Sequence, residues 1–450
     1  MKETKFKQTE VGMIPWDWEK KKLGQLCSLW GRIGFRGYTR NDLVEPHKGA
    51  ITFSPSDIHN QKICLSNCSY ISLKKYEESP EIKVFNGDII FGKTASIGKC
   101  ALISGLTEKA TINPQFVLLN NFRCDNAFLY YQLIDQKFQS NVWDICGGST
   151  IPTMSQEKLK QQLIPIPPTI EEQQRIASAL SDVDALISNL EKLIAKKKNI
   201  KQGAMQQLLT GRKRLPGFGP SCHPERSTKC AVEESSHFKM TELGPIPSDW
   251  EFVNIQKKCT IKARIGWQGL KSDEYQDSGD YVLITGTNFS NGFIDWSTCS
   301  YVSEWRFKQD KNIQIRKGDV LVTKDGTIGK IAFLDEIPMN GTLNSGVFVV
   351  RPKESREINS VYLSLVFKSI WFDSFLEEIT SGSTIVHLYQ KDFVKFDFPL
   401  PSYKEQTAIA NVLSDMDSEI QTLETKLAKY RKLKTGMMQQ LLTGKIRLID

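Results

Sequence analysis

From Ile409 onward the apolar residues fall at alternating steps of four and three: Leu413, Met416, Ile420, Leu423, Leu427 and Tyr430. The same rhythm occurs earlier, at Ile176, Leu180, Val183, Ile187, Leu190 and Ile194. Apolar residues repeating every 3.5 positions over about five heptads predict a long helix with one apolar seam. Each run carries boundary signals. Thr169 with Glu172, and Ser402 with Glu405, fit the capping box that opens a helix. Pro167, Pro168 and Pro401 stand just outside, and Gly211 and Gly444 are placed to close the helices. Each helix should hold about 40 residues and reach about 60 Å. Elsewhere the pattern shortens to β-rich runs such as DIIFG and VFVVRP, turn signals such as NG, KGD and DG, and helical stretches such as NAFLYYQLIDQKF.

A seam of that length cannot be buried against a small domain. A second helix of equal length and pattern is at hand, so the two are expected to pair. The alternative is that each packs on a partner protein. Antiparallel pairing with one globular domain at each end gives a pseudo-two-fold arrangement.

The symmetry is written into the whole chain. TEVGMIPWDW (9–18) returns as TELGPIPSDW (241–250), and RIGFRG (32–37) as RIGWQG (264–269). NGDIIFGKTASIGK (86–99) returns as KGDVLVTKDGTIGK (317–330), and GGSTI (147–151) as SGSTI (381–385). PIPPTIEEQQRIASALSDVD (165–184) matches PLPSYKEQTAIANVLSDMD (399–417), and AMQQLLTG (204–211) matches MMQQLLTG (437–444). One unit of about 230 residues is used twice, too long for a solenoid repeat. Gly203 and Gly436 each precede the octet inside a predicted helix. A glycine there costs about 1 kcal/mol, which suggests close approach by another backbone or a deliberate bend.

The fold class is therefore α+β, with two mixed globular domains separated by two long helices. The divisions are 1–168 for the first domain, 169–211 for the first helix, 212–238 for a linker, 239–401 for the second domain, and 402–450 for the second helix and tail. Lys+Arg exceed Asp+Glu by 59 to 51 in 450 residues, a formal +8 that permits a polyanion partner without requiring one. The ten cysteines form no CxxC, the opening residues hold no apolar core of a signal peptide, and no apolar run spans a membrane. Reduced cysteines and a cytoplasmic location are expected. Cys222, His223, Cys230 and His237 match no common zinc spacing and sit in the linker, so no metal site is expected.

Catalytic patterns are missing. GKT and GK at 92–99 do not meet the spacing of a phosphate-binding loop, and no G-x-G-x-x-G, H-E-x-x-H or G-x-S-x-G is present. None of the five histidines falls at a duplicated position. What recurs is glycine-flanked Arg, Lys, Ser, Thr and Asn, residue types that bond phosphates and base edges. They also build tight turns, and for any single residue that is an equal alternative. For the set, binding to a two-fold polymer is the better reading. The copies diverge where recognition would require it: Phe35-Arg36 faces Trp267-Gln268, and IPTMSQ (151–156) faces IVHLYQ (385–390). The candidate DNA contacts are Arg32, Arg36, Lys93, Thr94, Lys99, Asn113, Ser149, Thr150 and Thr153 in the first copy. In the second they are Arg264, Gln268, Lys324, Thr327, Lys330, Asn344, Ser383, Thr384 and His387.

Taken together, the E-x-G-x-I-P-x-D-W openings, G-D-[IV]-[IL]…I-G-K turns, [GS]-G-S-T-I elements, P-[IL]-P…E-Q…L-S-D-x-D helix starts and Q-Q-L-L-T-G-x-x-R-L helix ends resemble the specificity subunit of a type I restriction–modification system. The likeness covers everything but the linker. It implies two target recognition domains reading a split double-stranded DNA sequence, spaced by an antiparallel coiled coil. It implies no catalysis and no cofactor in this chain. Modification subunits, two of them, would bring S-adenosylmethionine and methylate adenine. Restriction subunits would bring ATP, Mg and cleavage. The alternatives are a stand-alone DNA-binding regulator and a coiled-coil scaffold whose globular ends bind proteins.

Overall fold

The computed structural model describes residues 5–146, 153–218, 238–241, 244–290, 292–380 and 387–449. The chain forms two compact units, residues 1–192 with 425–450, and residues 193–424. The predicted helices are present as α1 (Ile170–Leu209) and α2 (Tyr403–Leu441). Each begins in one unit and ends in the other.

In the first unit, the strands Cys100–Leu102, Ile89–Gly92, Phe116–Asn120 and Ser28–Gly31 lie side by side as an antiparallel sheet. A second sheet pairs Ala50–Phe53 in parallel with Ala110–Ile112. Strand Glu19–Lys22 pairs with Leu163–Ile166, so the start of the domain is tied to the residues that lead into α1. The second unit repeats this plan. Ile331–Phe333, Val320–Thr323, Val347–Pro352 and Cys259–Ala263 form the antiparallel sheet. Tyr281–Ile284 runs parallel to Gly341–Leu343, and Glu251–Asn254 pairs with Asp397–Leu400. The central strands of both units are buried on both faces, which is why they read as unbroken apolar runs rather than alternations.

In each unit the two long helices pack antiparallel. In the first, Asp184 bonds Lys434 and Glu191 bonds Arg431, so numbers rise along α1 as they fall along α2. In the second, Lys197 meets Glu419, Lys198 meets Glu424, and Lys201 meets Asp417. The predicted seam is buried at Ile176, Leu180, Val183, Ile187, Leu190 and Ile194, and at Ile409, Leu413, Ile420 and Leu427. Each such side chain contributes about 1.5–3 kcal/mol on leaving water.

The caps hold with one change. Gly211 and Gly444 adopt φ of 69° and 67°, the left-handed conformation that closes a helix. Thr169 and Ser402 accept from the backbone N–H of Glu172 and Glu405, at 3.3 Å in both cases. The glutamates do not return to the cap. Each carboxylate goes instead to an arginine that follows the far end of the other helix. Arg447 donates to Glu172 and to Asp17, and Arg214 donates to Glu405 and to Asp249. These arginines also stand over Trp18 and Trp250. Gln173 and Gln406 complete the junction. Each accepts from the backbone N–H of the N-cap residue of a domain helix, Asp125 or Asn359, at 2.9 Å.

Neither Gly203 nor Gly436 is approached closely: a Cβ built on either meets no atom within 4 Å. The close-approach expectation is overturned, because these positions face open space.

The copies also differ in filling. Tyr131 donates to Asp184 at 2.9 Å, and Tyr130 donates to the Gln61 carbonyl at 2.8 Å. Leu365 and Ser364 stand at the matching places of the second unit. There a hollow of about 800 Å³ opens beside Lys201, Phe293, Phe333, Lys368 and Asp417. Burial pushes the Lys368 ammonium down to about 8, with nearby Lys201 adding to the drop and Asp417 opposing it.

Candidate nucleic-acid interface

The duplicated G-D…I-G-K stretch is the turn between two antiparallel strands. In the first unit it joins Ile89–Gly92 to Cys100–Leu102, and in the second Val320–Thr323 to Ile331–Phe333. Its tip needs a left-handed residue. Ala95 has φ of 60° and Gly326, at the matching place, 71°. Gly98 and Gly329 supply a second left-handed position, with φ of 81° and 74°.

Two further loops flank each turn. Ser54 and Thr285 follow the parallel strands and close small turns with Asp57 and Asn288. Their hydroxyls pair with Ser56 at 2.6 Å and with Thr287 at 2.7 Å. Asn113 and Asn344 begin the other loop, accepting from the backbone N–H of Gln115 and Gly346, both at 2.9 Å. The three loops are laced together. Lys99 donates to the Pro55 carbonyl at 2.6 Å, the Lys93 N–H to Gln115, and the Lys324 N–H to Gly346.

The segments that follow the GSTI elements complete each cluster. Met154 N–H donates to the Lys93 carbonyl at 2.8 Å, and Leu388 N–H to the Lys324 carbonyl at 2.9 Å. Thr94 and Thr153 form an isolated β-bridge. His387 instead bonds Asp325 through Nδ1 at 2.8 Å.

The predicted contacts divide by where the fold sends them. Arg32 and Arg264 point inward. Their guanidiniums donate to the Ile112 and Leu343 carbonyls and to the Thr111 and Thr342 hydroxyls. Burial pulls both below the usual arginine value. They pin the ends of strands Ser28–Gly31 and Cys259–Ala263 to the parallel pair, so they correct the expectation of outward DNA contacts. Asn113 and Gln268 are buried as well, and Asn344 has its carbonyl oxygen engaged in its own turn. Arg36 pairs with Glu81 at 3.6 Å, and Lys99 is drawn onto Pro55. Lys93, Thr94 and Thr153 remain at the first cluster, and Lys324, Thr327, Lys330 and His387 at the second. Burial lowers the Lys93 ammonium, and Lys324 lies 5.4 Å from the Phe348 ring centre. Ser149, Thr150, Ser383 and Thr384 lie outside the described residues, as do Cys222, His223, Cys230 and His237. Among the described residues no His, Cys, Asp and Glu cluster could hold a metal ion, and no helix is long and apolar enough to cross a membrane.

Sequence reading missed three things here. The Ser54–Asp57 and Thr285–Asn288 turns are duplicated, but SPSD and TGTN share little beyond small polar residues. Asp325 is absent from the expected contacts, although its counterpart Thr94 and its partner His387 are among them. The Arg447 and Arg214 clamps had a signal, the arginine of the repeated T-G-x-x-R-L.

Comparison with known proteins gives the family and the fold. The family model for the type I restriction modification DNA specificity domain matches residues 15–202 and 247–430. A putative type I restriction enzyme MjaX specificity subunit of Methanocaldococcus jannaschii is 27% identical over 99% of this chain and 98% of its own. The MjaVIII specificity subunit of the same organism is 26% identical over 99% and 97%. Among solved structures, the S subunit of a type I restriction-modification system from M. genitalium superposes with a TM-score of 0.58 at 18% identity, over 94% of this chain and 96% of its own.

Proposed function

The chain belongs to the type I restriction modification DNA specificity family, and on that premise we propose that each compact unit reads one half of a two-part duplex DNA target. The observation that carries this is the repeated three-loop cluster. The backbone bonds of Lys93 and Lys324 and of Met154 and Leu388 repeat between the units, while the residues at the junction differ, threonine against threonine in one and Asp325 against His387 in the other. A shared scaffold with divergent contacts suits two domains that read different short sequences.

In this reading the chain supplies specificity and no chemistry. Two modification subunits bring S-adenosylmethionine and methylate adenine. Restriction subunits bring ATP and Mg, and the complex works in the cytoplasm. In the second unit helix α1 leaves Leu193 and Ile200 exposed one heptad apart, apolar positions suited to partner helices. The length of the paired helices sets the unread spacer between the half-sites. Lys93, Lys324 and Lys330 serve the phosphates, which makes binding salt-dependent.

The test is to co-express the chain with modification subunits and sequence the methylated adenines. Two short specified blocks separated by a fixed unread gap are expected. An uninterrupted target, or failure to co-purify with a methyltransferase, would overturn the reading. Adding one heptad to each helix should lengthen the gap, and an unchanged gap would remove the spacer role.

A further inference from the structure

The two copies place the same two positions in contact and fill them differently. Thr94 and Asp325 occupy equivalent places in the turn, and Thr153 and His387 equivalent places in the segment that crosses it. The neighbouring backbone bonds are conserved between the copies, at 2.8 Å in the first and 2.9 Å in the second. The substitution is thus a paired change at one junction whose neighbouring backbone bonds are repeated.

A carboxylate is a costly thing to put there. Ionised, it only accepts hydrogen bonds, and it repels the phosphates that Lys324 and Lys330 attract. It gains where a base presents a donor, and in the major groove the amino group of cytosine is the donor that aspartate reads. Asp325 is available for this. Its side chain is 41% exposed. Oδ1 takes the bond from His387 Nδ1, and Oδ2 has no hydrogen bond from any described residue.

We propose that Asp325 is a specificity-determining residue of the second unit, its free carboxylate oxygen accepting from the exocyclic amino group of a cytosine. His387 is the positioning residue. It donates to Oδ1, fixes the rotamer, and leaves Oδ2 directed by the fold rather than by solvent. The first unit, with Thr94 and Thr153, has no carboxylate at this place and reads its half-site by other means. This rests on the reading of the second unit as a DNA-reading domain.

The experiment uses the full complex with its modification subunits and a library of duplexes randomised across both half-sites. Methylation is scored by sequencing for the parent, Asp325→Asn, His387→Thr and Thr94→Val. Asp325→Asn is expected to lower the preference for cytosine at one position of the second half-site by about tenfold, within the range one base contact carries. His387→Thr is expected to weaken the same position less, and Thr94→Val to leave the second half-site intact. The proposal is overturned if Asp325→Asn leaves every position of the second half-site unchanged, or lowers methylation of all sequences alike as a merely structural loss would. A parent complex that methylates without any two-part preference would refute the underlying reading instead.

Discussion

Replacing Arg447 with methionine should be far more damaging than its position, three residues from the end of the sequence, suggests. The Arg447 side chain is 9% exposed and bridges two carboxylates, Glu172 at 1% and Asp17 at 52%. Methionine keeps much of the stem and its packing near Trp18 but removes five donors. Glu172 would then carry a charge out of water with no partner. Breaking a buried pair in this way costs about 3–5 kcal/mol. The exposed arm is worth little, so Asp17→Asn should cost under about 1 kcal/mol. Equilibrium urea denaturation followed by tryptophan fluorescence measures both. The double variant Arg447→Met with Glu172→Gln removes the stranded charge and should recover part of the loss. A cost below about 1 kcal/mol for Arg447→Met, or no recovery in the double variant, would refute the reasoning. The acid side gives a second reading. The hydrogen bond from Arg447 holds the Asp17 carboxyl below its usual value. A depressed carboxylate stabilises the fold above its unfolded pKa, and this is lost as pH falls through the folded one. Arg447→Met should flatten that decline.

The other consequences are smaller or opposite in sign. Gly444→Ala should destabilise by more than about 1 kcal/mol, because φ is 67° and the new Cβ would fall 2.4 Å from Pro15, whereas Gly436→Ala should stabilise by about 1 kcal/mol, since nothing lies within 4 Å; melting temperatures distinguish the two. Ala95→Gly should raise stability by up to about 1 kcal/mol, as glycine relieves a φ of 60°, and a loss in thermal unfolding would contradict this. Lys368 has its pKa pushed down to about 8 from 10.5, so the folded state holds fewer protons than the unfolded and stability should rise between those pH values. Lys368→Ile, which installs the first unit's Ile134, should abolish that rise in urea titrations at stepped pH.

The helices were legible because their signal is periodic and local. Heptad spacing, two caps and a closing glycine all lie within one stretch of chain, and Gly211 and Gly444 took the conformation expected of them. The duplication was legible as plain identity between distant segments. The reading surface was harder. Arg32 and Arg264 recur, and an arginine beside glycine looks the same whether it turns to a phosphate or to a buried carbonyl. Only the parallel strands, with Ile112 and Leu343 offering carbonyls about 80 residues away, decide that it turns inward. Recurrence favours residues that hold the scaffold, and Asp325, which does not recur, is marked only by its contact with His387 in the fold. The capping glutamates show the same limit. Glu172 is local to Thr169, but the arginine that claims it lies at the other end of the chain.

The central claim is that two similar units read two separate half-sites. It is tested most directly by exchanging residues 1–155 for those of a relative with a different target, and sequencing methylated adenines in cells that carry the chimaera with its modification subunits. The account predicts that one half-site is replaced while the other is kept. A change in both halves, or in neither, would contradict it.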